Sequence, residues 1–204
     1  YFCTMLLKNL HGKRIILASQ SPRRQELVKG LELEPVIVSR EVDESYPEHI
    51  QGPDVAAYVT RKKAEAYLPE LKENDVLITG DTVVLLGNRI FEKPQNVAEA
   101  KEMLRALSGN THTVASGIAV TTLAQGIRVE VDTCEVTFID LSDALIDHYI
   151  AAYKPFDKAG SYGVQDLMGF AGVERIHGSY YTVMGLPTLP LFRLLESIEA
   201  DAID

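Results

Sequence analysis

Apolar and polar residues recur with two different periods along this chain, and the pattern predicts strands interleaved with helices. Runs rich in β-branched residues predict strands at Ile15–Ala18, Glu34–Ser39, Asp75–Leu86, His112–Thr122, Ile127–Phe138 and Val173–Met184. The fourth and fifth runs are joined by four residues and predict a β-hairpin. The third run is apolar on both sides of Thr79–Thr82, a pattern typical of a central strand with both faces covered.

Helical periodicity and capping residues predict five helices. They cover Pro22–Lys29, Pro53–Leu68, Asn96–Leu107, Ser142–Tyr153 and Pro187–Ile198. We expect Gly30 to take the C′ position at the end of the first helix. Asn96 with Glu99 three residues later predicts a capping box. The buried stripe of that third helix is expected to consist of Val97, Ala100, Met103, Leu104 and Leu107.

The length of 204 residues is sufficient for one large domain or two small lobes with a sizeable core. We expect Tyr1–Thr4, which precede Met5, to be a remnant of cloning. No apolar run is long enough to span a bilayer, and the first residues do not resemble a signal peptide. The two cysteines, Cys3 and Cys134, form no CxxC pair. These features predict a cytoplasmic protein with no membrane partner.

The net charge of −9 at pH 7 argues against a surface that binds nucleic acid or an anionic membrane, and it makes any local basic cluster informative. Ser21 and Pro22 have the residue types of an N-cap and a first helical position, and Arg23 and Arg24 follow. Basic residues are unfavourable there, because the helix dipole is already positive. Two guanidinium groups, free N–H groups and the hydroxyls of Ser19 and Ser21 predict a phosphate site. The alternative is a solvated helix start whose arginines pair with surface carboxylates.

Asp81 lies inside the apolar third strand, where a carboxylate must be paired, metal-bound or protonated. Gly80 beside it permits a bulge or the close approach of a ligand. Lys63 is on the inward side of the second helix, where it needs an anionic partner unless its stem follows the surface to solvent. Lys93 follows a short edge segment and is a second candidate cation.

Glu44 belongs to an acidic loop with Glu41 and Asp43, and these carboxylates could hold a divalent cation or be solvated. His112 is expected to be a structural histidine, because no second His or Cys stands at metal-ligand spacing. The loop Pro155–Gln165 contains glycines that allow its backbone to approach a ligand closely. It lacks the spacing of a P-loop or a dinucleotide fingerprint.

Several of these segments, in this order, resemble motifs of the Maf family of nucleoside triphosphate pyrophosphatases. The segments are Leu17–Arg24, Gly80–Thr82, Glu92–Pro94, Leu107–Gly109 with Thr111–His112, and Asp157–Gly160 through Gly163–Gln165. The resemblance extends from about Arg14 to Leu195. Its last motif and Arg23 are similar to the subgroup that acts on dTTP and UTP. Gly80 stands where alanine is usual and Ser116 where threonine is usual, which leaves the ranking of substrates open.

The resemblance implies an α/β fold, with an extended mixed β-sheet flanked by helices and a central cleft between two lobes, in a single domain over residues 1–204. It implies hydrolysis of a nucleoside triphosphate to a monophosphate and pyrophosphate with a divalent metal cation, Mg²⁺ or Mn²⁺. The expected role is the removal of unwanted or modified nucleotides. A homodimer is a further implication.

Residue chemistry and the resemblance together suggest a role for each candidate. Asp81 is the candidate general base, and Glu44 is the second carboxylate, which would share the metal with it or orient the attacking water. Lys63 and Lys93 would offset charge that develops on the leaving pyrophosphate, which makes them candidate catalytic residues.

The other candidates hold the substrate. Ser19 and Arg24 would bind the triphosphate, and Glu92 would orient Lys93 or assist the metal. Arg23, Thr82 and Gln165 would read the base. The Gln165 amide offers a donor and an acceptor that match the O4 and N3–H of uracil or thymine.

Two other functions remain open at this point. The protein could be a nucleotide-binding regulator of cell division that acts through a partner without turnover. The grouping of carboxylates with cations argues against that function, since binding alone does not require it. A phosphatase that releases orthophosphate would use similar groups.

Overall fold

A mixed β-sheet forms the centre of the computed structural model, which describes residues 6–199. Its seven described strands are β1 (Arg14–Ala18), β2 (Val36–Val38), β3 (Asp75–Leu86), β4 (Arg89–Phe91), β5 (Thr111–Thr122), β6 (Gly126–Phe138) and β7 (Val173–His177). The order is β2-β1-β3-β5-β6-β7, with β4 also paired to β3. β1 runs parallel to β2 and to β3, and the other pairings are antiparallel. The expected remnant Tyr1–Thr4 lies outside the described residues.

Helices cover the sheet on both faces. Within residues 6–199 they are α1 (Pro22–Gly30), α2 (Asp54–Tyr67), α3 (Val97–Leu107), α4 (Asp143–Tyr153), α5 (Leu167–Ala171), α6 (Tyr180–Met184) and α7 (Thr188–Glu196). Single 3-10 turns occur at Lys8–Leu10, Leu68–Glu70 and Ala159–Ser161. The predicted α/β fold, a mixed sheet flanked by helices, is confirmed. None of these helices combines the length and the apolar character that crossing a bilayer requires.

The side chains of β3 alternate between two packing faces. Val76, Ile78 and Val84 join the large core cluster that includes residues of α1, α3, α4 and α7. Leu77 and Val83 pack instead in the clusters formed with α2. Both faces of β3 are therefore covered, as its continuous apolar pattern predicts.

Four local predictions are corrected by the structure. β2 is shorter than Glu34–Ser39, because only Val36–Val38 find partners on β1. Gly30 is the last residue of α1 and not its C′ residue; the turn continues to Glu32, which takes the positive φ of 60°.

The other two corrections concern a helix start and a strand end. Val97 is 58% exposed, because the contacts of α3 with the core begin one turn later, at Ala100. The run Val173–Met184 is a strand only as far as His177. Gly178, with φ 134°, redirects the chain and helix α6 follows.

One edge of β3 is interrupted, and the interruption positions the site. β5 pairs with Leu77–Leu85 along one edge without a bulge. On the opposite edge, β1 pairs as far as Ile78 and β4 begins at Val84. Thr79–Val83 therefore have no described strand on that side. A cleft of about 640 Å³ opens at this gap, between the part of the sheet with β1 and the part with β4.

Candidate active site

The carboxylate of Asp81 projects from the gap in β3 toward α2, where it contacts Lys63. The Lys63 ammonium donates to Asp81 Oδ1 at 2.7 Å and lies 2.9 Å from Glu44 Oε1. A neighbouring hydrogen bond fixes the position of α2 relative to β3: the Thr79 hydroxyl donates to the Thr60 carbonyl at 3.0 Å. Thr79 and Asp81 share a face of the strand, and Thr60 and Lys63 share a face of the helix. The inward Lys63 thus has the anionic partners that its position requires.

Burial makes this cluster electrostatically strong. Asp81 is 8% exposed, and the Lys63 side chain is 13% exposed. Glu44 lies at the rim, with about half of its side chain accessible. Burial acts to raise the pKa of Glu44, but the charge and hydrogen bond of Lys63, with Lys93 and Arg24 nearby, lower that pKa overall. One buried ammonium therefore joins the buried carboxylate of Asp81 to the carboxylate of Glu44 at the rim.

Arg24 approaches the other face of the same strand segment. Its Nε donates to the Gly185 carbonyl at 2.8 Å, and its terminal nitrogen donates to the Thr82 hydroxyl at 3.2 Å. Burial lowers the pKa of the guanidinium, and the nearby Asp81 opposes that effect. A methyl group at Gly80 would lie 3.7 Å from Arg24 Nε and 2.9 Å from the Gly117 carbonyl. The glycine therefore makes room for protein groups, in an unbulged strand.

The Thr82 hydroxyl is hydrogen-bonded within the network that holds Arg24. Its oxygen accepts from Arg24 and lies 2.9 Å from the Ser116 hydroxyl. Ser116 in turn donates to the Thr182 carbonyl at 2.8 Å. The structure thus uses Thr82 to hold Arg24, and its assignment to base reading stays a prediction.

The segment after β1 supplies the predicted phosphate-binding groups. Ser19 is buried, and its Oγ accepts from the backbone N–H of Ser21 at 3.2 Å. Ser21 caps α1 by accepting from the backbone of Arg24, as the sequence predicts. Basic side chains from different parts of the chain line the same cleft, namely Arg23, Arg24, Arg40, Lys63, Lys93 and Lys158. They concentrate positive charge in a protein whose net charge is −9.

Glu92 does not line the large cleft, but it shares a neighbouring recess with Glu44 and Asp81, which line both spaces. It lines a smaller recess of about 320 Å³ and is hydrogen-bonded to Tyr46, whose pKa rises through burial and the charge of Glu92. Lys93 lines both the cleft and the recess. The role of Glu92 in substrate or metal binding stays a prediction.

Gln165 and Arg23 line the cleft as well. The Gln165 Oε1 is buried and has no hydrogen-bond partner among the described residues. Arg23 donates to the Asp157 carboxylate at 2.9 Å, and Lys158 contacts the other oxygen of that carboxylate at 2.8 Å. An unsatisfied buried acceptor is costly, so Gln165 is suited to receive a donor from a ligand.

Sequence reasoning missed two contributors to the cleft. Asp157 belongs to one of the motifs, but nothing in its neighbouring residues indicates a pairing with Arg23 in α1. Gly185 holds Arg24 through its carbonyl, a backbone contact that no side-chain pattern reveals. His112, by contrast, is confirmed as structural: it is 1% exposed, and its Nε2 lies 2.7 Å from the Tyr162 hydroxyl.

The donor set defines what kind of metal the site could take. Among residues 6–199, no group of three or more His, Cys, Asp or Glu side chains could hold an ion by itself. Glu44 and Asp81 nevertheless lie around one cationic nitrogen, and each contacts it through a single oxygen. Mg²⁺ is commonly held by one or two carboxylates together with substrate phosphates and water. The pair therefore fits an ion that arrives with a triphosphate.

Comparison with known proteins identifies the family to which this chain belongs. The family model for Maf-like proteins matches residues 14–198, and the chain belongs to the Maf family. It is 43% identical over 192 residues to a dTTP/UTP pyrophosphatase of Parabacteroides distasonis, covering 94% of this chain and 99% of that one. It is 41% identical over 194 residues to a dTTP/UTP pyrophosphatase of Flavobacterium johnsoniae, covering 95% and 100%.

A solved structure is similar at a lower level. It is a nucleoside-triphosphatase, or dITP/XTP pyrophosphatase, of Mycobacterium abscessus, with 16% identity and a TM-score of 0.39. The alignment covers 63% of this chain and 75% of that one.

Proposed function

We propose that this protein hydrolyses dTTP and UTP to the nucleoside monophosphate and pyrophosphate, with Mg²⁺ or Mn²⁺. The observation that carries the proposal is the Asp81–Lys63–Glu44 cluster of a cation-lined cleft, in which Asp81 and Lys63 are buried and Glu44 lies at the rim. The names of relatives that match along nearly their whole length support it. Removal of unwanted or modified nucleotides in the cytoplasm is the corresponding physiological role.

Asp81 is proposed to act as the general base. Lys63 holds Oδ1, which orients the carboxylate and leaves Oδ2 to accept a proton from water. That water attacks the α-phosphorus, and the bond to the oxygen between the α- and β-phosphates breaks. The electron pair of that bond leaves with the pyrophosphate.

The cations and the hydroxyl around the cleft would offset the charge on the triphosphate and the leaving group. Arg24 is suited to this because Gly185 and Thr82 fix its guanidinium before substrate arrives. Ser19, Lys63 and Lys93 would contribute from other sides of the cleft. Glu44 and Asp81 would hold a metal ion, which supplies charge neutralisation on the phosphates when bound.

Gln165 is proposed to read the base. Its buried, unpartnered Oε1 can accept from the N3–H of uracil or thymine, while its NH₂ group donates to O4. Arg23 lines the same cleft and is held by Asp157, which supports a role beside Gln165 in reading the base.

Product analysis tests the proposed reaction. The purified protein is incubated with dTTP, UTP, CTP, GTP and ATP, with Mg²⁺, with Mn²⁺ or with chelator, and pyrophosphate and orthophosphate are quantified. We expect pyrophosphate from dTTP and UTP, and none with chelator. Orthophosphate as the product would contradict the cleavage site. Tight nucleotide binding without any product, modified nucleotides included, would favour the regulator. Size-exclusion chromatography of the same preparation checks the predicted homodimer.

A further inference from the structure

Tyr149 is hydrogen-bonded to residues on both sides of Gln165 in the sequence, Gly163 and Asp166. It lies in α4, is fully buried, and reaches the segment Gly163–Asp166 with its hydroxyl. That hydroxyl accepts from the Gly163 backbone N–H at 3.0 Å and donates to Asp166 Oδ2 at 3.1 Å. We infer that Tyr149 is a positioning residue for base selection, which fixes Gln165 so that one orientation of its amide faces the base. This inference rests on the proposed role of Gln165.

The Tyr149 hydroxyl acts both as a donor and as an acceptor in these hydrogen bonds. A phenol has one proton to donate, and here it goes to a carboxylate, which only accepts when ionised. Its oxygen receives the N–H of Gly163, a buried backbone donor. Burial raises the pKa of Tyr149, so the group remains a donor throughout the neutral range. Removal of the hydroxyl would leave the Gly163 N–H and Asp166 without this partner at the same time.

Gly163 transmits this restraint to the Gln165 amide. A side chain at Gly163 would lie 2.9 Å from Gln165 Nε2 and 2.5 Å from Asp166 Oδ2. The amide nitrogen of Gln165 therefore packs against the bare α-carbon of Gly163. Because Tyr149 fixes the backbone of Gly163, it also fixes the surface on which the amide rests.

The orientation of the amide decides between uracil and cytosine. Uracil and thymine present an acceptor at O4 and a donor at N3, whereas cytosine presents a donor at N4 and an acceptor at N3. A glutamine amide turned by 180° exchanges its donor and acceptor, so a loosely held glutamine can match either base. Selectivity for UTP over CTP thus requires a held amide, and Tyr149 holds the Gly163 backbone and the Asp166 side chain between which Gln165 lies.

The test compares Tyr149→Phe with Tyr153→Phe. Tyr153 stacks on Tyr149 with ring centroids 5.0 Å apart, so its variant loses the same chemical group from the same helix and leaves the Gly163 and Asp166 contacts in place. For each protein, kcat/KM is measured for UTP and CTP, and binding is measured with their non-hydrolysable α,β-methylene analogues. We expect Tyr149→Phe to lower the UTP/CTP ratio about fivefold in both assays, and Tyr153→Phe to leave it unchanged. Asp166→Ala, which removes the hydroxyl's other partner, should lower the ratio in the same direction.

The outcomes separate the inference from the proposed function. An unchanged ratio in folded Tyr149→Phe, or an equal fall in Tyr153→Phe, would overturn the inference. If Tyr149→Phe does not fold, an unchanged ratio in Asp166→Ala overturns it. If the wild-type protein releases no pyrophosphate, the proposed reaction fails, and the analogue-binding ratio still decides the role of Tyr149.

Discussion

At the scale of single residues, the Lys63–Asp81–Glu44 cluster is better explained by chemistry than by stability. Removing the Asp81 carboxylate and the Lys63 ammonium from water has a large desolvation cost, and well-packed apolar residues are often as stabilising. The sequence reveals Asp81 and Lys63 because each is a charge at a position that its strand or helix buries. The pairing of Arg23 with Asp157 is not visible in this way, because it depends on the path of an irregular loop.

Loss of the Gln165 side chain is predicted to change the selectivity among bases. Gln165→Ala should lower kcat/KM for UTP relative to CTP about tenfold, since the amide that distinguishes the two bases is lost. The rate on the best substrate should change less than this ranking. Steady-state kinetics over the nucleotide panel measures both.

Gln125→Ala is the matched control. Gln125 also has a buried Oε1 without a described partner, but its amide donates to the Ser197 carbonyl and it does not line the cleft. A similar change of ranking in both variants would show that loss of a glutamine, and not its place in the cleft, alters selectivity.

At the scale of elements, apolar patterning and capping residues predict the strands and helix starts that depend on neighbouring residues in the sequence. β3 and the β5–β6 hairpin follow from apolar patterning, and α3 and α4 begin at the predicted caps. The gap opposite Thr79–Val83 was not predictable, because periodicity does not state which strands become neighbours. The end of α1 was misjudged because its last turn continues past Gly30, beyond which Leu33 is buried in the core.

The cap of α3 gives a prediction for an element. The Asn96 side chain accepts from the Glu99 N–H at 3.0 Å, while the Glu99 carboxylate accepts from the N–H of Gln95 and not of Asn96. Asn96→Ala should lower the free energy of unfolding by about 1 kcal/mol, because the cap is lost. Asn96→Asp keeps a capping oxygen and should stay close to wild type. Urea denaturation checks both, and equal stability of all three proteins would show that the cap contributes nothing.

At the scale of the whole molecule, His112 couples stability to pH. It lies in the core against Phe138 and Tyr162, and burial lowers its pKa from 6.5 to about 4. Between these two values the unfolded chain binds a proton that the folded chain does not. The histidine therefore contributes no pH dependence well above pH 6.5, and stability falls as the pH decreases toward 4.

This loss should amount to about 3 kcal/mol between pH 7.5 and pH 4, beyond what other groups contribute. His112→Gln, which does not titrate, should show a correspondingly flatter dependence of unfolding free energy on pH. The exposed His148→Gln is the control and should follow wild type. Identical pH dependence of wild type and His112→Gln would contradict the buried neutral histidine.

The most direct test of the central claim is the turnover of UTP by Asp81→Asn. The amide keeps the shape of the carboxylate but cannot accept the proton of the attacking water. We predict a fall in kcat of about 10²- to 10⁴-fold, with α,β-methylene-UTP still raising the melting temperature. Asp143→Asn, which changes an exposed carboxylate paired with Arg105, should retain wild-type turnover. Pyrophosphate release by Asp81→Asn within a few-fold of wild type would show that Asp81 is not the general base.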